Sequence, residues 1–171
     1  MPMSRLASTL VYAGLVWAGP AQADDASAAL KPLAFLAGSC WRGTFPDGKA
    51  TDEHCFDWIL NGRYMRDTHV VRGAGADYEG VTLIGWDPGR NATSYWYFTN
   101  EAHLSQGTVE AFPDGIAFRE TVALAGGEKL EMRGVLAPAG ADGYRVRTEQ
   151  REGEAWKERF TIEFRRTRRS P

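Results

Sequence analysis

The chain has 171 residues and a formal net charge of −2 at neutral pH. That length suits one domain with a proper core. The charge balance lacks the positive excess of a nucleic-acid binder, so no nucleic-acid partner is expected. The basic run Arg165-Arg166-Thr167-Arg168-Arg169 is too short to change this and reads as a solvated C-terminus, with residues 168–171 as a basic tail.

Residues 1–23 read as a secretory signal. Arg5 precedes an apolar run from Leu6 to Ala18, and the small-residue end Ala21-Gln22-Ala23 places cleavage after Ala23. The run falls short of the roughly 20 residues of a bilayer-spanning helix, so no integral membrane segment is expected after cleavage. The expectation is an exported protein, periplasmic or secreted, in an oxidising compartment. Residues 24–37 are Ala-rich with Pro32 among them, which suits only a short helical or irregular lead-in.

From residue 38 to 167, segments rich in aromatic and β-branched residues alternate with Gly, Asn and Asp turns, the pattern of an all-β antiparallel domain. About ten strands are predicted, near 40–45, 50–59, 63–72, 78–86, 93–99, 104–112, 115–123, 129–137, 144–150 and 155–165. Alternation is clearest in the last, where Trp156, Phe160, Ile162 and Phe164 share one parity and Lys157, Arg159, Glu163 and Arg165 the other. A long meander with one wet face closes most economically into a single up-and-down β-barrel, which removes exposed edges. Asn91-Ala92-Thr93 after Pro88-Gly89 reads as turn chemistry, and Glu149, Glu152 and Glu154 as a solvated hairpin.

Two turns fix a register. Asp47-Gly48 predicts a tight hairpin in which facing residues sum to 95, which sets Cys40 opposite Cys55. Facing strand residues lie within disulfide reach, so a Cys40–Cys55 bridge is predicted; Pro46 beside the turn points to a longer loop as the alternative. Asn61-Gly62 predicts a second hairpin with facing residues summing to 123. Asp57 then opposes Arg66, Trp58 opposes Met65, Phe56 opposes Asp67, and His54 opposes His69, while Trp41 lies beside His54. Because Trp41, Phe56, Trp58 and Met65 share that face, it is predicted to line the interior. A ligand pocket of Trp41, His54, Phe56, Trp58, Met65, Asp67 and His69 follows, with Asp52 inside or at the mouth.

Phe35-Leu36-Ala37-Gly38-Ser39-Cys40-Trp41-Arg42-Gly43, Trp58-Ile59-Leu60-Asn61-Gly62-Arg63-Tyr64, Leu83-Ile84-Gly85-Trp86-Asp87-Pro88 and the arginine-ending strand Phe164-Arg165-Arg166 occur in that order. Together they resemble bacterial lipocalin-like (calycin) barrel domains of unassigned function. The opening Gly-x-x-Trp is one residue longer than the usual Gly-x-Trp of those barrels. The resemblance implies a barrel with Trp41 closing one end under an arginine of the last strand, Arg165 or its neighbour Arg166. Nitrobindin-type barrels are distantly similar and bind haem through a late-strand histidine. No histidine follows His103 here, so haem binding of that type is not expected, with an unrelated ligation by His54, His69 or His103 as the alternative. No cofactor is assigned.

Several functions fit these residues. The leading expectation is an exported barrel that binds a small, partly apolar molecule. A metal-dependent or acid/base enzyme using His54, His69 and Asp67 is the alternative, since imidazoles and a carboxylate suit zinc or iron. Two further alternatives are a polar network satisfied by itself and by water, with no metal or catalytic residue, and a filled barrel acting as a structural or interaction module. Ligand identity and oligomeric state are left open.

Overall fold

A computed structural model describes residues 28–73, 75–123 and 128–168. The predicted signal, the start of the lead-in and most of the basic tail lie outside them. One helical turn at 28–30 runs into a 3-10 helix, Lys31–Leu36, with Pro32 in its first turn. Ten strands follow: β1 Ser39–Thr44, β2 Thr51–Ile59, β3 Tyr64–Arg72, β4 Tyr78–Asp87, β5 Ala92–Thr99, β6 Leu104–Phe112, β7 Gly115–Ala123, β8 Lys129–Pro138, β9 Gly143–Glu152 and β10 Ala155–Thr167. Each is antiparallel to its sequence neighbours, and β1 pairs with β10 to close the barrel. The all-β, up-and-down expectation is met, with strand ends moved by one or two residues. Among the described residues no helix is long and apolar enough to cross a membrane.

Both turn registers hold. Cys40 faces Cys55 and the disulfide forms, with Cα atoms 4.1 Å apart. His54 faces His69, Phe56 faces Asp67, Trp58 faces Met65 and Asp57 faces Arg66. At the second turn Leu60, Asn61 and Gly62 all have positive φ (50°, 59° and 77°), Gly62 N–H donates to Ile59 O and Arg63 N–H to Leu60 O, and the ladder ends at Ile59 and Tyr64, so the predicted two-residue turn is a four-residue loop with the same centre. The first turn is also longer than two residues. Pro46 supplies no N–H, so the ladder ends at Phe45 and Ala50, and Gly48 N–H donates to Phe45 O across Pro46-Asp47. The loop is four residues long, yet its centre is unchanged and so is the sum of 95.

One end of the barrel is sealed by the lead-in. Leu30, Leu33 and Leu36 are fully buried there against Trp41, Met65, Ile84, Ile116, Leu136 and Tyr144. Each buried leucine contributes about 1.5–3 kcal/mol of transfer free energy. Trp41 donates from Nε1 to Leu36 O at 3.2 Å and meets Tyr144 edge-on with centroids 5.1 Å apart. The guanidinium over its ring, 4.3 Å from the centroid, is that of Arg166. Arg165 is not the closing residue: it sits opposite Arg42 on the outer face, while Arg166 shares the inward parity of Trp41. Arg166 also donates to Ser39 Oγ and pairs with Asp142. Arg166→Met is expected to cost about 1 kcal/mol in urea unfolding, and Arg165→Met less than about 0.5 kcal/mol.

The last strand departs from simple alternation. Glu158 faces Glu149 but Phe160 faces Thr148, so Arg159 is a bulge residue and parity inverts across it. Phe160, Ile162 and Phe164 therefore point inward, whereas Trp156, predicted to join them, lies outside beneath the Arg133 guanidinium at 4.3 Å. Glu149, also predicted to be solvated, is buried there and accepts from Arg133 and Arg147. Burial opposes its charge, but the two arginines hold its carboxyl below the usual range.

Candidate functional site

Because β1 enters from the sealed end, the residues near Asp52 on β2 and His69 and Val71 on β3 lie toward the other end of the barrel. A cavity of about 340 Å³ occupies the interior there. Its apolar wall includes Phe45, Phe56, Phe118, Phe160 and Phe164. Its polar wall is formed by Asp52 and His54 on β2, Asp67 and His69 on β3, and Tyr97 on β5. Glu120 on β7 faces them, since β7 is five strands from β2 in either direction round the ring.

The cross-strand register brings the polar wall together. Gly43, Asp52 and Val71 form one row across β1, β2 and β3; Trp41, His54 and His69 form the next, which continues onto Gly80. His54 lies between two carboxylates, donating from Nδ1 to Asp67 Oδ2 at 2.7 Å and from Nε2 to Asp52 Oδ2 at 3.1 Å. Burial alone would lower the imidazole pKa. The charges and hydrogen bonds of Asp67 and Asp52 outweigh it and hold the group at about 10, so His54 is an imidazolium at neutral pH. For Asp52 burial again opposes the charged form, and the hydrogen bond from His54 together with the electrostatic contact to His69 prevails, leaving it far below the usual carboxylate range.

His69 continues the chain. Its ring centroid is 4.6 Å from that of His54, its Nε2 lies 2.8 Å from Tyr97 Oη, and Tyr97 Oη lies 2.7 Å from Tyr78 Oη. Burial and then the Tyr78 hydrogen bond push the Tyr97 hydroxyl well up, so it remains protonated. Gly80 is what lets the two rings meet: a Cβ there would run into both the His69 and the Tyr97 rings. His69 Nδ1 is 3.3 Å from Asp52 Oδ1, an electrostatic contact without hydrogen-bond alignment. Asp52 Oδ1, Asp67 Oδ1 and His69 Nδ1 are thus buried polar atoms with no hydrogen-bond partner.

Of the predicted pocket residues, His54, Phe56, Asp67 and His69 line the cavity. Trp41, Met65 and Trp58 do not. Trp41 and Met65 are consumed by the plug beneath it, and Trp58, next to the 60–63 turn, is 39 % exposed at the barrel rim. Tyr97, Tyr78 and Glu120 are additions that the first two registers do not reach. Placement of Tyr78 and Tyr97 depends on β3–β4 and β4–β5 pairing, set by sums of 149 and 179, and that of Glu120 on the further β5–β6 and β6–β7 registers.

No protein-family model matches the chain, and no curated protein is a match for it. The closed ten-stranded antiparallel barrel is consistent with the lipocalin-like resemblance, and the site stands on its own geometry.

Proposed function

We propose that the protein is an exported binding barrel that takes a small, largely apolar molecule bearing one polar group. The observation that carries this reading is the cavity of about 340 Å³, largely aromatic and aliphatic with a polar cluster gathered on β2, β3 and β5, which a filled barrel would lack. Pockets of roughly 300–1,000 Å³ with few convergent polar groups are the usual form of small-molecule sites. The aromatic wall accommodates the apolar body, and the Asp52–His54–Asp67 and His69–Tyr97 groups orient the polar end. The disulfide supports export, since such bonds persist in oxidising compartments.

Titration with a solvatochromic naphthalene dye tests it. Saturable one-to-one fluorescence enhancement is expected. Gly134→Leu should weaken it by at least about tenfold, because Gly134 lines the cavity and an added Cβ there meets only Val146 at 3.6 Å. The variant fills space without distorting the strand, so its unfolding midpoint should stay near that of the parent. Dye binding unaffected by Gly134→Leu would place the apolar site elsewhere. No saturable binding at all would return the barrel to the interaction-module reading.

A further inference from the structure

We propose that Asp52, His54 and His69 bind one first-row divalent metal ion of the zinc or iron(II) class, held at the polar wall with its free positions toward the cavity. One donor atom from each residue lies within 4.8 Å of the others. Two imidazoles and one carboxylate with open positions remaining form a donor set used for both metals.

The surroundings supply three independent arguments. First, the outer nitrogens are already held as those of metal-ligating histidines are. His54 Nδ1 bonds Asp67 Oδ2 at 2.7 Å, and His69 Nε2 bonds the Tyr97 hydroxyl at 2.8 Å, itself braced by Tyr78. That leaves His54 Nε2 and His69 Nδ1, the two nitrogens beside Asp52, as the ligating pair. Second, Asp52 Oδ1 and His69 Nδ1 are buried, unpartnered and 3.3 Å apart, and a shared ion would satisfy both. Third, charges balance within the cluster: a divalent ion with Asp52, Asp67 and two neutral imidazoles sums to zero in a site where uncompensated charge is costly, leaving Glu120 across the cavity outside the count. On binding, His54 Nε2 exchanges its proton and its contact with Asp52 for the ion, the proton leaving to solvent. Donors within 4.8 Å of one another must be drawn inward to reach a shell of about 2.0–2.2 Å around one ion. The carboxylate that sequence reasoning placed with the histidines, Asp67, is an orienting group in this arrangement, and Asp52 is the ligand.

The test is cobalt(II) titration of the chelator-treated, disulfide-intact chain, followed by visible absorption. One equivalent should give a saturating d–d band that one equivalent of zinc abolishes. Asp67→Asn should weaken apparent affinity about 10–100-fold, Asp52→Asn and His69→Ala more than that, and His103→Ala, an exposed site, not at all. A second measurement needs no variant: X-ray absorption at the zinc edge of the loaded parent should count two imidazoles. Absence of a saturable band, a band that survives in folded Asp52→Asn and His69→Ala, or fewer than two imidazoles would each overturn the proposal. Dye binding in the presence of chelator is scored separately, so failure of the metal site leaves the cavity reading intact.

Discussion

Replacing His54 by leucine is expected to destabilise the metal-free barrel by about 3–5 kcal/mol, the range for removing one partner from a buried charge cluster. Leucine is close enough in volume that packing against the neighbouring Phe56 and Phe164 rings changes little. The loss is electrostatic. Asp52 and Asp67 are 7 % and 6 % exposed, and His54 is the cation that both contact. Without it two carboxylates face each other across a low-dielectric wall, each having lost its hydrogen-bond donor. Urea unfolding near pH 6 in the presence of chelator measures the effect. Adding Asp52→Asn and Asp67→Asn to His54→Leu should recover most of it, since removing all members of a buried cluster costs far less than removing one. A loss below about 1 kcal/mol, the value of a solvated pair, would show that water reaches the carboxylates freely.

The same cluster predicts a direction of pH dependence. The folded pKa of His54, about 10, lies above its ordinary 6.5. Its contribution is therefore complete below about pH 6.5 and is lost as pH rises through 10. Asp52 is displaced the other way, so its contribution is present above its ordinary 3.8 and declines only in strong acid. Stability from this cluster is greatest between those two ordinary values and falls on the alkaline side. A pKa unit is worth about 1.4 kcal/mol, and the His54 side chain keeps 20 % of its exposure, so a realised loss of about 2–3 kcal/mol between pH 6 and 10 is expected. The difference between parent and His54→Asn unfolding free energies should shrink over that interval. A difference independent of pH would mean that His54 is not charged in the native state.

What the sequence discloses follows the range of its turns. Asp47-Gly48 and Asn61-Gly62 each fix a centre of symmetry, and every facing pair on β1, β2 and β3 follows from them, including the cysteines and the two histidines. Even the four-residue loops found at both turns leave those centres in place. Between β3 and β4 the sequence offers no Asn-Gly or Asp-Gly centre, so Tyr97 and Glu120 could not be placed on the cavity wall, nor Tyr78 behind Tyr97, by counting. Alternation gives which residues share a face but not the depth at which each sits. Trp41, Met65 and Trp58 have the inward parity of His54, yet the plug takes two of them and the rim the third. Parity itself fails where a residue is inserted, and nothing in Lys157-Glu158-Arg159-Phe160 announces the bulge that turns Trp156 outward and lets Arg133 cover it.

Removing the Cys40–Cys55 bridge, as Cys40→Ala with Cys55→Ala, is expected to cost about 3 kcal/mol, the chain-entropy value for a closed loop of this length. The ladder around it survives on its own hydrogen bonds, with Trp41 still facing His54 and Thr44 facing Thr51, so far-ultraviolet circular dichroism should be unchanged. The effect falls mainly on the unfolded chain, which gains the freedom of the loop between residues 40 and 55. Denaturant unfolding should then show a lower midpoint together with a steeper slope, because the unbridged unfolded state exposes more surface. The bridge also bears on the site: Cys55 is next to His54 and Cys40 next to Trp41, so a chain already tied there holds the register that aligns both histidines. Loss of stability with no change in slope would instead indicate native strain or cavity formation around Cys40, which is 2 % exposed.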